Sequence, residues 1–218
     1  MGIQSLKCLN VILLGLLIQA CGSGSSDGEK TLDDIITINE APEERLLNGV
    51  AAKGLLDSAT INAYLMDSSG QKANTTIVAT TNTNSAGEFS LALPNTSDTW
   101  LIESLGGSYI DEGDQEPNAA LKRRITLGPT QGFQAAVLPN TSNATLTIFS
   151  QALLEKSRRE TVAGNFVSVL QANQNLATLA YGFDPIATSP VDPINPSSTA
   201  SQAQMSYAML LGGMAYAI

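Results

Sequence analysis

The sequence predicts a mainly β protein with added α structure, namely a β-sandwich followed by a C-terminal helical region. Two patterns support this prediction. Between residues 45 and 139, short β-prone segments alternate with turn residues about every eight to twelve positions, as is typical of a sandwich. From residue 140 onward the apolar residues recur at helical spacing instead. We therefore expect a sandwich over 45–139 and a helical region over 140–218.

The strand predictions rest on period-two alternation. Phe89, Leu91 and Leu93 alternate with polar or small residues, so one face of that segment points inward. Pro94 ends the segment, because proline lacks the backbone N–H that a sheet requires. The segments predicted as strands are 48–54, 59–67, 75–81, 88–94, 99–105, 124–127 and 133–138.

The same region carries a set of short motifs: Gly49-Val50, Ala59 ahead of Asp67 and Gly70, the run TNSAGEFS at 83–90, and Leu93-Pro94. In this order the motifs resemble the carboxypeptidase regulatory-like module, a transthyretin-like β-sandwich that is grouped with related Ig-like sandwiches. The resemblance implies an Ig-like or transthyretin-like fold for 45–139. It also implies a non-catalytic role, since such modules usually bind, space or stabilise.

The helix predictions begin with Leu146, Phe149, Leu153 and Leu154, whose spacing indicates an amphipathic helix that starts near residue 145. A second, short helix is predicted around Phe166, Val167 and Leu170, and a third from a cap at Asn173 to Gly182. The prolines at 185, 190, 193 and 196 predict an extended connector over 184–198.

The last predicted helix starts at about residue 199 and carries apolar residues around most of its circumference. A helix of this kind is expected to be buried. Its final residues, 208–218, contain no charge and end without a glycine cap or a polar tail. We therefore expect residue 218 to lie inside a longer natural chain, whose further residues cover this helix.

The N-terminus has the layout of an export signal. Lys7 precedes an apolar run at 9–18 that is too short to span a bilayer, which takes about 20 residues. Ile18-Gln19-Ala20-Cys21 resembles the bacterial lipobox. The resemblance implies a lipoprotein signal peptide at 1–20, lipidation of the Cys21 thiol, and a flexible tether over 21–44. The alternative is an ordinary secretory signal with a chance cysteine.

A lipid anchor at Cys21 implies a location in the cell envelope, with the membrane as a partner through the acyl chains. Gly22 after the cysteine resembles the sorting pattern of outer-membrane lipoproteins, if the source has two membranes. The formal charge of −9, which becomes −10 without Lys7, argues against nucleic acid as a partner.

The residue inventory excludes several enzyme classes. The chain contains no histidine, so a Ser-His-Asp triad and imidazole-ligated zinc are impossible. The cysteine at position 21 is assigned to the lipid, and neither a GxGxxG nor a GxxxxGK phosphate motif occurs. We predict that the protein is not an enzyme. A carboxylate-based hydrolase is the remaining catalytic alternative.

The acidic run DEGDQE is the one candidate metal site. Asp111, Glu112, Asp114 and Glu116 lie around Gly113 and could supply oxygen ligands to calcium. The spacing does not match an EF-hand loop, and the competing interpretation is a solvated acidic loop. No other cofactor is predicted. The basic run at 121–124 either meets a phosphate or an acidic partner, or it pairs with this acidic loop.

Two functions remain compatible with these patterns. The first is a non-catalytic binding module for an envelope glycan or protein. The second is a structural or assembly lipoprotein whose helical region docks on an envelope complex. An exposed aromatic cluster on the loops would favour the first, and a large exposed apolar patch on the helices would favour the second.

Overall fold

The computed structural model describes residues 43–111, 114, 116–192 and 197–215. Every described residue belongs to one compact unit, which lies within Glu40–Ile218. Cys21 and Glu112 lie outside the described residues.

Nine strands and three α-helices form the described unit. The strands are β1 (Glu44–Ala51), β2 (Thr60–Leu65), β3 (Ala79–Asn82), β4 (Glu88–Pro94), β5 (Trp100–Leu105), β6 (Ser108–Ile110), β7 (Arg124–Thr126), β8 (Gln134–Val137) and β9 (Asn143–Leu146). The helices are α1 (Ile148–Glu160), α2 (Phe166–Tyr181) and α3 (Gln202–Ala215), with a short 3-10 helix at Ala119–Leu121.

Two sheets make the predicted sandwich. One has the order β4-β1-β9, the other has the order β3-β2-β5-β8, and β6 and β7 form a separate hairpin. The inward faces share one apolar core that includes Leu47, Ile61, Phe89, Trp100 and Leu146. The prediction of a mainly β sandwich with a C-terminal helical region is therefore confirmed.

The helices add a third layer to the sandwich. Tyr64, Leu101 and Ala136 point out of the four-stranded sheet and pack against Leu154 of α1 and Phe166 of α2. Strands β2, β5 and β8 of this sheet consequently have buried side chains on both faces, which explains why β5 begins with the three consecutive apolar residues Trp100, Leu101 and Ile102. None of the helices in the described part of the chain is long and apolar enough to cross a bilayer.

The last strand of the sandwich lies beyond the predicted boundary at residue 140. β9 pairs with β1 in parallel and places Ala144 and Leu146 in the sandwich core. The predicted helix accordingly begins later, at Ile148, with Thr147 as its N-cap. Leu146 matched the helical spacing only by coincidence, because a single residue fits either period.

The second and third predicted helices are one helix in the structure, α2. Asn173 lies inside this helix, where its amide donates to Ser157 Oγ at 3.2 Å and to the carboxylate of Glu160 at 2.8 Å. It therefore joins α2 to α1 rather than capping a helix. Gly182 does end α2 as predicted, in the left-handed conformation with φ 78°.

Two further elements differ from the sequence-based predictions. β6 follows Gly106 and Gly107 and was not predicted, since it lies between this glycine pair and the acidic run, which together indicated a loop. α3 buries only one face, through Tyr207, Ala208 and Leu211, while Met209 is 73% exposed. The expectation that this helix is buried all round is therefore wrong for its outer face.

Candidate functional site

A row of polar side chains crosses the outer face of the three-stranded sheet. Asn48 of β1 is level with Ser90 of β4 on one side and with Asn143 of β9 on the other. Their chain neighbours Leu47, Phe89 and Ala144 point into the core, so the three polar side chains face outward. Adjacent strands lie about 4.8 Å apart, which brings these side chains within reach of one ligand.

This row forms the floor of a groove with a volume of about 590 Å³. Asn82, the last residue of β3, and Asn84, in the turn after it, also line the groove, as does Ser189 of the connector. We define the polar groove by the residues Asn48, Asn82, Asn84, Glu88, Ser90 and Asn143.

The polar groove offers neutral hydrogen-bonding groups. The side-chain amides of Asn48, Asn82 and Asn143 make no hydrogen bond within the part of the chain that the structure describes. Each of them can donate twice and accept. Asn84 is occupied, since its Oδ1 accepts from the backbone N–H of Glu88 at 3.0 Å and its Nδ2 donates to the Glu88 carboxylate.

The groove contains few side chains that could act as catalytic acids, bases or nucleophiles. Glu88 is the one carboxylate among its described lining residues, whereas glycoside hydrolysis ordinarily uses two. Lysine and arginine are absent from that same lining, so a strongly anionic ligand finds no counter-charge. The arrangement suits the binding of a neutral molecule that is rich in hydroxyl or amide groups.

Exposed apolar side chains concentrate on the helices. Leu179 of α2 is 84% exposed, and Met209 of α3 is 73% exposed. We define the helical apolar residues as Ile148, Val167, Leu176, Leu179, Tyr181, Met205, Met209, Leu210 and Met214, all at least 36% exposed. Leu176 and Tyr181 also line a groove of about 240 Å³ between α1 and α2, together with Phe149 and Leu153.

Aromatic side chains show the opposite distribution. The sandwich aromatics Tyr64, Phe89, Trp100, Tyr109 and Phe133 are all buried. Tyr181, on α2, is the one aromatic residue of the described chain whose exposure reaches the range of the helical apolar residues. Within the described residues, the loops of the sandwich therefore present no exposed aromatic platform.

The acidic loop is engaged with the basic run that follows it. Arg123 donates to the carboxylate of Asp111 through Nε at 3.0 Å and through Nη2. Lys122 Nζ donates to the backbone oxygen of Asp114 at 2.7 Å. The hydrogen bond to Asp111 raises the pKa of the Arg123 guanidinium. The interpretation that the basic run pairs with the acidic loop is confirmed for these residues.

The predicted calcium ligands Asp111, Asp114 and Glu116 lie in the described chain, whereas Glu112 does not. The Asp114 carboxylate accepts the backbone N–H groups of Arg123 at 2.7 Å and Glu116 at 3.0 Å, which lower its pKa. The described residues contain no group of three or more acidic side chains or cysteines arranged to hold a metal ion. With Glu112 outside that set, the calcium site stays a prediction.

The polar groove was missed by the sequence analysis. Alternation shows that Asn48 and Ser90 point away from the core, but it does not show which strands are neighbours. No family model, curated protein or solved structure matches the chain. Its function is therefore inferred from the residues and geometry of this chain alone.

Proposed function

We propose that this chain is a non-catalytic lipoprotein of the bacterial cell envelope, anchored through Cys21, whose helical region docks on a protein partner. The exposed apolar side chains of α2 and α3 carry the proposal. Large apolar side chains that are exposed in such numbers on neighbouring elements are typical of protein-binding sites when a partner covers them. The anchor part rests on the lipobox resemblance, which places a lipid at Cys21 and a tether ahead of β1.

Leu179 and Met209 supply the strongest support because they are the most exposed of the helical apolar residues on α2 and α3. Burying a large aliphatic side chain contributes about 1.5–3 kcal/mol, so a partner that covers both gains substantially. Among the described residues of the sandwich, the strands carry few exposed apolar side chains, since β-strand alternation directs most of their apolar residues into the core.

Site-specific photo-crosslinking in intact cells tests the proposal. A photoreactive residue at position 179 or 209 is expected to give a discrete protein adduct. The matched control is position 121, where Leu121 is 68% exposed but lies between β6 and β7. Adducts that form equally at position 121, or adducts with lipid alone, would contradict docking through the helices.

A charge substitution gives the second readout. Leu179→Glu should abolish the adduct formed from position 209, because a carboxylate in an apolar interface is costly to desolvate. Leu121→Glu should leave it unchanged. Persistence of the adduct in Leu179→Glu would remove Leu179 from the interface.

A second candidate function is the binding of a neutral envelope glycan in the polar groove. The aligned amides of Asn48 and Asn143 favour it, because they leave donors and acceptors unused. Titration of soluble glycan fragments should shift the NMR signals of these two amides. The double substitution Asn48→Ala with Asn143→Ala should abolish binding, and Asn95→Ala, an exposed asparagine outside the groove, should not. Equal binding by the unsubstituted protein, the double variant and Asn95→Ala would exclude this site.

A further inference from the structure

A third cleft lies where α3 meets the end of the sandwich. It has a volume of about 310 Å³, at the lower end of the roughly 300–1,000 Å³ typical of small-molecule sites. Leu211 and Met214 of α3 form one wall, and Leu127 and Phe133 of the sandwich form another. Ile148, the first residue of α1, completes the apolar lining.

The lining of the cleft also includes one positively charged side chain. Lys53, in the turn after β1, is the only charged residue among the described residues that line the cleft. Its ammonium lies 5.9 Å from the centre of the Tyr109 ring, a weak cation–π contact. The salt bridges among the described residues do not include Lys53, so its charge is not neutralised by a carboxylate of that part of the chain.

We propose that this cleft binds an amphiphilic anion, with a short alkyl chain against Leu211, Phe133 and Met214 and an anionic head group on the Lys53 ammonium. The alkyl chain favours binding because its CH₂ groups are removed from water against these apolar side chains. The head group forms a charge-assisted hydrogen bond with Lys53, which fixes the direction in which the ligand enters.

The net charge of the chain opposes anion binding in general. A formal charge of −9 supplies no non-specific attraction for a carboxylate. A preference for a fatty carboxylate over the alcohol of equal chain length therefore reports the local field of Lys53. A purely hydrophobic cleft would show the reverse preference.

Calorimetric titration with octanoate and with octanol tests the proposal. The full chain carrying Cys21→Ser is used in detergent-free buffer, because a detergent or an attached acyl chain is itself an amphiphile. Octanoate is expected to bind more tightly than octanol. Lys53→Gln should weaken octanoate binding about tenfold or more and leave octanol unchanged, whereas Lys53→Arg should retain most of the affinity.

Two further variants complete the test. Arg159→Gln removes an exposed cation from α1 outside the cleft and should change nothing. Met214→Trp fills the cleft and should abolish the binding of both ligands; circular dichroism checks that this variant is folded. The proposal is overturned if octanoate fails to bind, if octanol binds equally well, or if Lys53→Gln has no effect on octanoate.

Discussion

At the scale of single residues, Tyr207 connects three parts of the helical region. It is completely buried in α3, and its hydroxyl donates to the backbone oxygen of Pro185 at 3.0 Å. The same hydroxyl is hydrogen-bonded to Oγ1 of Thr147, the N-cap of α1. Its ring stacks on Phe183 with the ring centres 4.2 Å apart. One phenol therefore ties α3 to the start of α1 and to the connector.

Replacing Tyr207 with Phe should destabilise the protein by about 1–3 kcal/mol, because the Pro185 oxygen would stay buried without its donor. Chemical denaturation measures the change. Tyr181→Phe is the matched control, since Tyr181 is 44% exposed and its hydroxyl makes no hydrogen bond to another described residue. A loss of similar size in both variants would mean that the buried hydroxyl is not the cause.

The burial of Tyr207 also makes the stability of the protein depend on pH. Removal from water raises the pKa of its phenol well above the ordinary value of about 10. The folded state then keeps a proton that the unfolded state releases, so the contribution of Tyr207 is complete below pH ~10 and declines as the pH rises further. Denaturation at pH 9 and pH 11 should show a loss of stability that is smaller in Tyr207→Phe. An equal loss in both proteins would refute the assignment.

The sequence predicted which residue types could interact, but it did not predict which residues far apart in the chain are close in space. The pairing of Arg123 with Asp111 could be predicted because the two residues are close in sequence and opposite in charge. The row of Ser90, Asn48 and Asn143 could not, since it requires the register of three strands. The cleft that Lys53 and Met214 both line could not be predicted either, because α3 is held in place by packing among residues far from Lys53 in sequence.

At the scale of elements, the strands with clear alternation were predicted well. β2, β4 and β5 lie within the predicted segments 59–67, 88–94 and 99–105. β9 was missed because its residues Asn143–Leu146 combine one exposed residue with three buried ones, which is not a period-two pattern. Thr145 is buried because the connector covers it, and its N–H donates to the Ile186 oxygen at 2.9 Å.

The packing around the central strand β1 requires a residue without a side chain at position 49. A Cβ at this position would lie 2.1 Å from the Ala144 oxygen and 2.4 Å from Cζ of Phe89. Neither the β9 backbone nor the buried ring can move away without disturbing the core. Gly49→Ala should therefore destabilise the protein by about 2 kcal/mol or more, as measured by thermal unfolding.

Gly213→Ala is the control for this substitution. A Cβ added at Gly213, in α3, would have no described atom within 4 Å, and alanine is the better helix former by about 1 kcal/mol. This variant should be neutral or more stable. Equal destabilisation by both substitutions would show that the contacts at Gly49 do not matter.

At the scale of the whole molecule, the central prediction is the lipid on Cys21. Cys21→Ser should eliminate the incorporation of labelled palmitate, because the acyl group requires the thiol. The control is Cys8→Ser, which changes a cysteine inside the segment that signal cleavage would remove. Label that persists in Cys21→Ser, or that disappears in Cys8→Ser alone, would contradict the lipobox interpretation.

The parallel pairing of β1 with β9 sets the order in which the protein can fold. Strands β2 to β8 lie between β1 and β9 in sequence. The contact between β1 and β9 therefore joins residues that are far apart in the chain, and such contacts form slowly. During synthesis, β1 stays at the edge of an incomplete sheet until Leu146 has left the ribosome. The sandwich is thus completed late, and a nascent chain that ends before β9 keeps one edge of β1 unpaired.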